Sequence, residues 1–90
     1  MNKSSFYVYV LYSNRLDKYY VGYTQNPTER LKFHNSEQNQ IWTKRGQPWE
    51  LKKVFEFDTT TQARKAENKI KKQRNRQFIE RILTLDTFEV

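Results

Sequence analysis

Cysteine is absent from this 90-residue chain. Its absence excludes a disulfide framework, a thiolate zinc site and cysteine nucleophile chemistry together. Histidine occurs once, as His34, so any metal here is held by oxygen or by that single ring. Glycine and proline number two each, and no linker, internal repeat or low-complexity tract interrupts the chain. No apolar run approaches the length of a membrane span, and the start MNKSS leads into FYVYVLY, too short and too tyrosine-rich for a secretory signal. The expectation is a soluble cytoplasmic protein with no membrane contact, monomeric by default.

Acidic residues are also few: ten Asp and Glu stand against seventeen Lys and Arg, a net charge of +7. That balance favours a polyanionic partner. The excess is concentrated between Thr60 and Arg81, where Arg64, Lys65, Lys69, Lys71, Lys72, Arg74, Arg76 and Arg81 face only Glu67 and Glu80. Such a run reads equally as a solvated helix face or as a phosphate-contacting one. Aromatics are plentiful, with six Phe, six Tyr and two Trp. Ninety residues leave no room for a second folding unit, and a chain this small buries only about two-thirds of its unfolded surface. One domain over 1–90, with a core of about 6–83 built on large side chains, is the expectation.

Phe6 to Tyr12 alternates Phe6, Val8, Val10 and Tyr12 with Tyr7, Tyr9 and Leu11, a strand pattern in β-branched and aromatic types. After the polar SNRLDK cluster, Tyr19 to Thr24 resumes it, so the pair reads as a hairpin. Gly22 inside the second strand marks either a close backbone approach, a bulge or a local irregularity. Asn26, Pro27 and Glu29 supply an N-cap, a first helical residue and a capping-box partner for a helix reaching about Asn35. Arg30 and His34, four apart, share a face of that helix. Ser36 to Pro48 reads as a loop carrying Trp42, Thr43, Lys44 and Arg45, and Trp49 to Phe57 as a third strand.

Thr59 with Gln62 is the best cap for a second helix of about Gln62 to Gln73. Its apolar stripe is Ala63, Ala66 and Ile70, and Glu67 projects from that same face. A carboxylate there needs a salt bridge, a cation or a path to water. A third helix of about Arg76 to Leu83 carries Phe78, Ile79, Ile82 and Leu83 as core. Tyr7, Tyr19 and Tyr23 read as cross-strand packing partners.

Tyr7-Val8-Tyr9 and, after ten intervening residues, Tyr20-Val21-Gly22 resemble the paired signatures of the GIY-YIG nucleases, with Val replacing Ile and Tyr7 replacing the first glycine. NPTERLKFHN resembles that family's first helix, TKRGQPWELKKVFEF the loop and strand after it, and ARKAENKIKKQ the helix with the metal-binding glutamate. The resemblance covers about Phe6 to Leu83 and is closest to a short stand-alone branch of uncharacterised bacterial proteins described as excinuclease C-like. It implies an α+β fold, a small three-stranded antiparallel sheet flanked by about three helices. It also implies a DNA endonuclease assisted by a divalent cation, usually Mg²⁺, with Mn²⁺ as a substitute, in repair or recombination.

By that resemblance Tyr9 helps activate the attacking water and Tyr20 positions water or phosphate. Arg30 clamps the phosphate, His34 relays a proton or contacts the phosphate, and Glu67 holds the metal. Lys44, Arg45, Arg64, Lys71 and Lys72 are the expected nucleic-acid contacts, and Gly22 is a structural position kept clear for substrate or a helix. A phenol with an ordinary pKa near 10 needs cationic neighbours to favour its anion, which Arg30 and a metal provide. The competing readings are a non-catalytic nucleic-acid-binding module of the same fold and an RNA-binding sheet that stacks bases on its tyrosines. The second gives an inward Glu67 no role, and the sequence lacks the glycine- and phenylalanine-rich signature of the common RNA-recognition sheet.

Overall fold

The computed structural model describes residues 5–73 and 75–89. Arg74 of the basic run and most of the MNKSS segment lie outside them. The strands β1 (Phe6–Ser13), β2 (Lys18–Thr24) and β3 (Trp49–Phe57) form one antiparallel sheet in the order β2-β1-β3. The helices α1 (Pro27–His34), α2 (Thr60–Gln73) and α3 (Arg76–Ile82) flank it. This is the α+β architecture the sequence pattern predicts.

The central strand β1 is buried on both faces, which is why its middle carries only large apolar or aromatic side chains. Val8 and Val10 join Val21, Phe55, Phe57, Ala63, Ala66, Ile70 and Ile82 in the layer beneath α2 and α3. On the opposite face Tyr9 and Leu11 join Trp49, with Tyr20, Leu31 and Val54 packed against them. Period-two alternation along β1 therefore separates two cores, and only the second holds a candidate functional group, Tyr9.

Helix α1 starts as predicted at Asn26, whose side chain accepts the Glu29 N–H at 3.1 Å. The reciprocal half of the capping box does not form. Thr24 Oγ1 takes the Asn26 N–H at 3.0 Å, and the Glu29 carboxylate pairs with Lys32 at 3.7 Å instead. An acceptor at the strand end was nearer than the carboxylate three residues on. Helix α2 begins at Thr60, two residues before the predicted start, with Thr59 Oγ1 accepting the Gln62 N–H at 3.1 Å.

Helix α3 is capped by Asn75 and tied to the hairpin turn by Arg76, whose guanidinium reaches the Asp17 carboxylate at 2.7 Å and Glu80 at 3.1 Å. Asp17 stands at φ 53°, the left-handed position that the tight turn requires. The guanidinium, helped by the Tyr12 hydroxyl, holds the Asp17 carboxyl at about 2. One member of the basic run is thus committed to structure. The predicted loop after α1 contains a short 3₁₀ turn, Trp42–Gly46, and folds inward, burying Asn39, Thr43 and Gly46.

Candidate active site

Tyr9 lies directly across from Gly22 in the β1–β2 ladder. A Cβ at Gly22 would stand 2.5 Å from the Tyr9 hydroxyl oxygen and 2.7 Å from Cζ. No glycine among the described residues has positive φ, and the sheet's one register shift lies between Val10 and Leu11 against β3. Gly22 therefore serves neither a special backbone conformation nor a bulge. It leaves the space that the Tyr9 ring fills, which corrects the expectation that substrate or a helix occupies that space.

Arg30 and His34 project from one face of α1, as their spacing predicts, and both bear on Tyr9. His34 is fully buried, with Nε2 3.1 Å from the Tyr9 hydroxyl and Nδ1 2.9 Å from Thr43 Oγ1. Burial first, and the Arg30 charge second, lower the imidazole pKa from 6.5 to about 4. The ring is neutral at physiological pH and has no exposed surface of its own.

The unfolded chain binds a proton at this histidine below about pH 6.5 while the folded chain resists it to about pH 4. Stability from a neutral His34 is therefore complete above pH 6.5 and is expected to fall between there and pH 4. Melting curves of the parent and of His34→Gln across that window would check it; a pH dependence shared equally by the variant would reject it.

Tyr9 is also buried, and this desolvation raises its phenol pKa, opposed by the Arg30 guanidinium and reinforced by Tyr20 and by Glu67. Arg30 alone is not enough to favour the phenolate. The half-buried Tyr20 ring lies 4.7 Å from His34, 5.8 Å from Trp42 and 6.2 Å from Tyr9 between centroids. Lys71 sits 6.0 Å above that ring and 3.0 Å from Glu67 Oε2. The Glu67 side chain is 16% exposed, so it does turn inward, and its i+4 lysine is the partner its position demanded. Residues from four elements thus converge: Tyr9 on β1, Tyr20 and Gly22 on β2, Arg30 and His34 on α1, Glu67 and Lys71 on α2. A groove of about 300 Å³ runs over the edge strand between Tyr20, Trp42, Ile70, Lys71 and Ile79.

A family model described as the GIY-YIG catalytic domain matches residues 5–80. The chain belongs to the GIY-YIG family. No curated protein matches it. The matched span runs from β1 into α3 and includes every group just described. Membership makes this a nuclease domain, a phosphodiester hydrolase whose substrate is nucleic acid.

Among the remaining basic residues of this GIY-YIG domain, Lys44 and Arg45 are exposed on the 3₁₀ turn beside the exposed Trp42, Lys44 donating to the Glu37 carbonyl at 3.1 Å. Arg64 lies over the Tyr23 ring at 6.0 Å. Lys72 is exposed on α2 and the structure does not gather it with the site residues. Asn39 and Thr43 are the functional candidates that sequence reasoning passed over as site residues. Polar residues in a polar loop carry no outward sign that they will be wholly buried.

No helix of the described residues is long and apolar enough to cross a membrane.

Proposed function

We propose that the domain hydrolyses DNA phosphodiester bonds with a divalent cation, Mg²⁺ or Mn²⁺, held at Glu67. The observation that carries this reading is the convergence on Tyr9: His34 and Arg30 from one side, Glu67 acting on it from another, with Tyr20 beside it. Among the described residues no three or more His, Cys, Asp or Glu gather into a closed metal cage. One inward carboxylate fits a hard cation that keeps several waters and shares substrate phosphate, as Mg²⁺ does. Bound there, the cation would supply Lewis acidity and the positive charge that Arg30 alone does not provide to Tyr9.

Tyr9, as its phenolate, takes the proton of the attacking water on its phenolate oxygen and becomes the neutral phenol. Tyr20, half exposed at the groove, orients that water against the phosphate. Arg30 offers a planar fork to the phosphate oxygens and stabilises the charge that grows on them. Lys71, already between Glu67 and Tyr20, meets the neighbouring backbone, and Lys44, Arg45, Arg64 and Lys72 extend the basic surface along it. Chemistry directed at the backbone rather than at base edges suits a role in repair or recombination.

The test is a cleavage assay on labelled duplex, branched and single-stranded DNA and on RNA, with Mg²⁺, with Mn²⁺ and with EDTA. Cutting of DNA with either cation and none in EDTA is expected. Equal cutting in EDTA would refute the metal, cutting of RNA alone would refute the substrate, and tight binding without cutting would leave only a binding module.

A further inference from the structure

Behind Tyr9 lies a chain of buried polar side chains. Asn39, Thr43 and His34 have no exposed surface, and the direction of each hydrogen bond among them can be settled. The Asn39 side-chain oxygen accepts the Ile41 backbone N–H at 2.8 Å, while its amide nitrogen donates to the His34 carbonyl at 3.0 Å. A backbone N–H only donates and a carbonyl only accepts, so the amide cannot be turned over. Its nitrogen therefore also donates to Thr43 Oγ1 at 2.8 Å.

The Thr43 hydroxyl thus accepts from Asn39. Its own proton has one acceptor among its partners, His34 Nδ1 at 2.9 Å. Nδ1 must then be bare, and a neutral ring carries its proton on Nε2, 3.1 Å from the Tyr9 hydroxyl oxygen. The opposite tautomer would leave the buried Thr43 proton aimed at nothing, at the full desolvation cost of an unmade hydrogen bond.

We infer that Asn39 and Thr43 are positioning residues that hold His34 as the Nε2–H tautomer, so that the imidazole donates to the Tyr9 oxygen and favours its phenolate. His34 is then not the base that deprotonates the tyrosine. It acts through Tyr9, as a neutral donor alongside Arg30, and leaves the phenol's own proton free to go elsewhere than to the imidazole. The consequence for turnover rests on the nuclease reading above; the tautomer does not.

His34 is the chain's one histidine, so two-bond ¹H–¹⁵N correlation spectra of the labelled protein at neutral pH report it without ambiguity. The expected pattern has the ring proton on Nε2 and a bare Nδ1; a proton on Nδ1 overturns the inference. Thr43→Val is expected to populate both tautomers and to lower kcat about tenfold, the scale of one hydrogen bond, with KM little changed. Thr43→Ser should restore both readouts and serves if the valine variant folds poorly. A loss of kcat in Thr43→Val with the Nε2–H pattern intact would make Thr43 merely structural and refute the positioning role. The Nε2–H pattern in a protein that cuts nothing would refute the nuclease reading and leave the tautomer standing.

Discussion

Glu67→Ala is expected to lower cleavage by at least roughly a thousandfold, the scale of losing a main stabiliser of transition-state charge. Fold and DNA affinity should stay close to those of the parent. The carboxylate's protein partner is Lys71, four residues on and half exposed, a pair of the kind worth about 0.3 to 0.5 kcal/mol. Alanine is the better helix former, which offsets part of that loss. Removal of a negative charge beside Lys71 does nothing to weaken binding to a polyanion. Single-turnover cleavage, a thermal melt and a binding titration separate the three effects. A variant that cuts as fast as the parent would remove Glu67 from the mechanism, and one that cuts slowly because it is unfolded would show it in the melt.

Gly22→Ala should have the second largest effect, and on both stability and activity. The new methyl would lie 2.5 Å from the Tyr9 hydroxyl oxygen and 2.7 and 3.0 Å from two carbons of its ring, closer than nonbonded atoms sit. That ring is 1% exposed and is held by its bond to His34 and by Tyr20, so it has nowhere free to turn. Overpacking of this kind costs about 1 to 3 kcal/mol. Relief by displacing the ring carries the hydroxyl away from His34 and Arg30, and a shift of about 1 Å at a reacting group costs roughly a hundredfold in rate. Denaturant unfolding and the cleavage assay are the measurements; a Gly22→Ala variant as stable and as active as the parent would show that the ring adapts.

Both expectations depend on Tyr9, and Tyr9 illustrates how far local pattern reaches. Alternation along β1 was enough to place it on one face of a strand, and the four-residue spacing of Arg30 and His34 enough to give them a common helix face. The capping signals at Asn26 and Thr59 marked where α1 and α2 begin, since a cap is satisfied within its own turn. Even the inward turn of Glu67 followed from its place beside the Ala63–Ala66–Ile70 stripe. All of these are properties of a few consecutive residues, set by the period of the element they belong to.

Contacts between distant segments left no such trace. The Glu29 half of the capping box failed because Thr24, in the preceding strand, was closer. Arg76, one cation in a run of eight, proved to be engaged by Asp17, fifty-nine residues away. Nothing in SEQNQIWTKRG distinguishes Asn39 and Thr43 from solvated loop residues, yet folding that loop over α1 buried both and set the direction of every hydrogen bond behind Tyr9. The amino-acid sequence by itself determined the order and type of the elements, the polyanion-seeking charge and the candidate residues, because periodicity, capping and composition are local. Only the tertiary structure decided that Gly22 makes room for a tyrosine ring, that His34 is neutral and buried behind Tyr9, and that Tyr9 is harder to ionise than its cationic neighbour suggested. Burial and through-space charge depend on which segments meet, and no short stretch of chain records that.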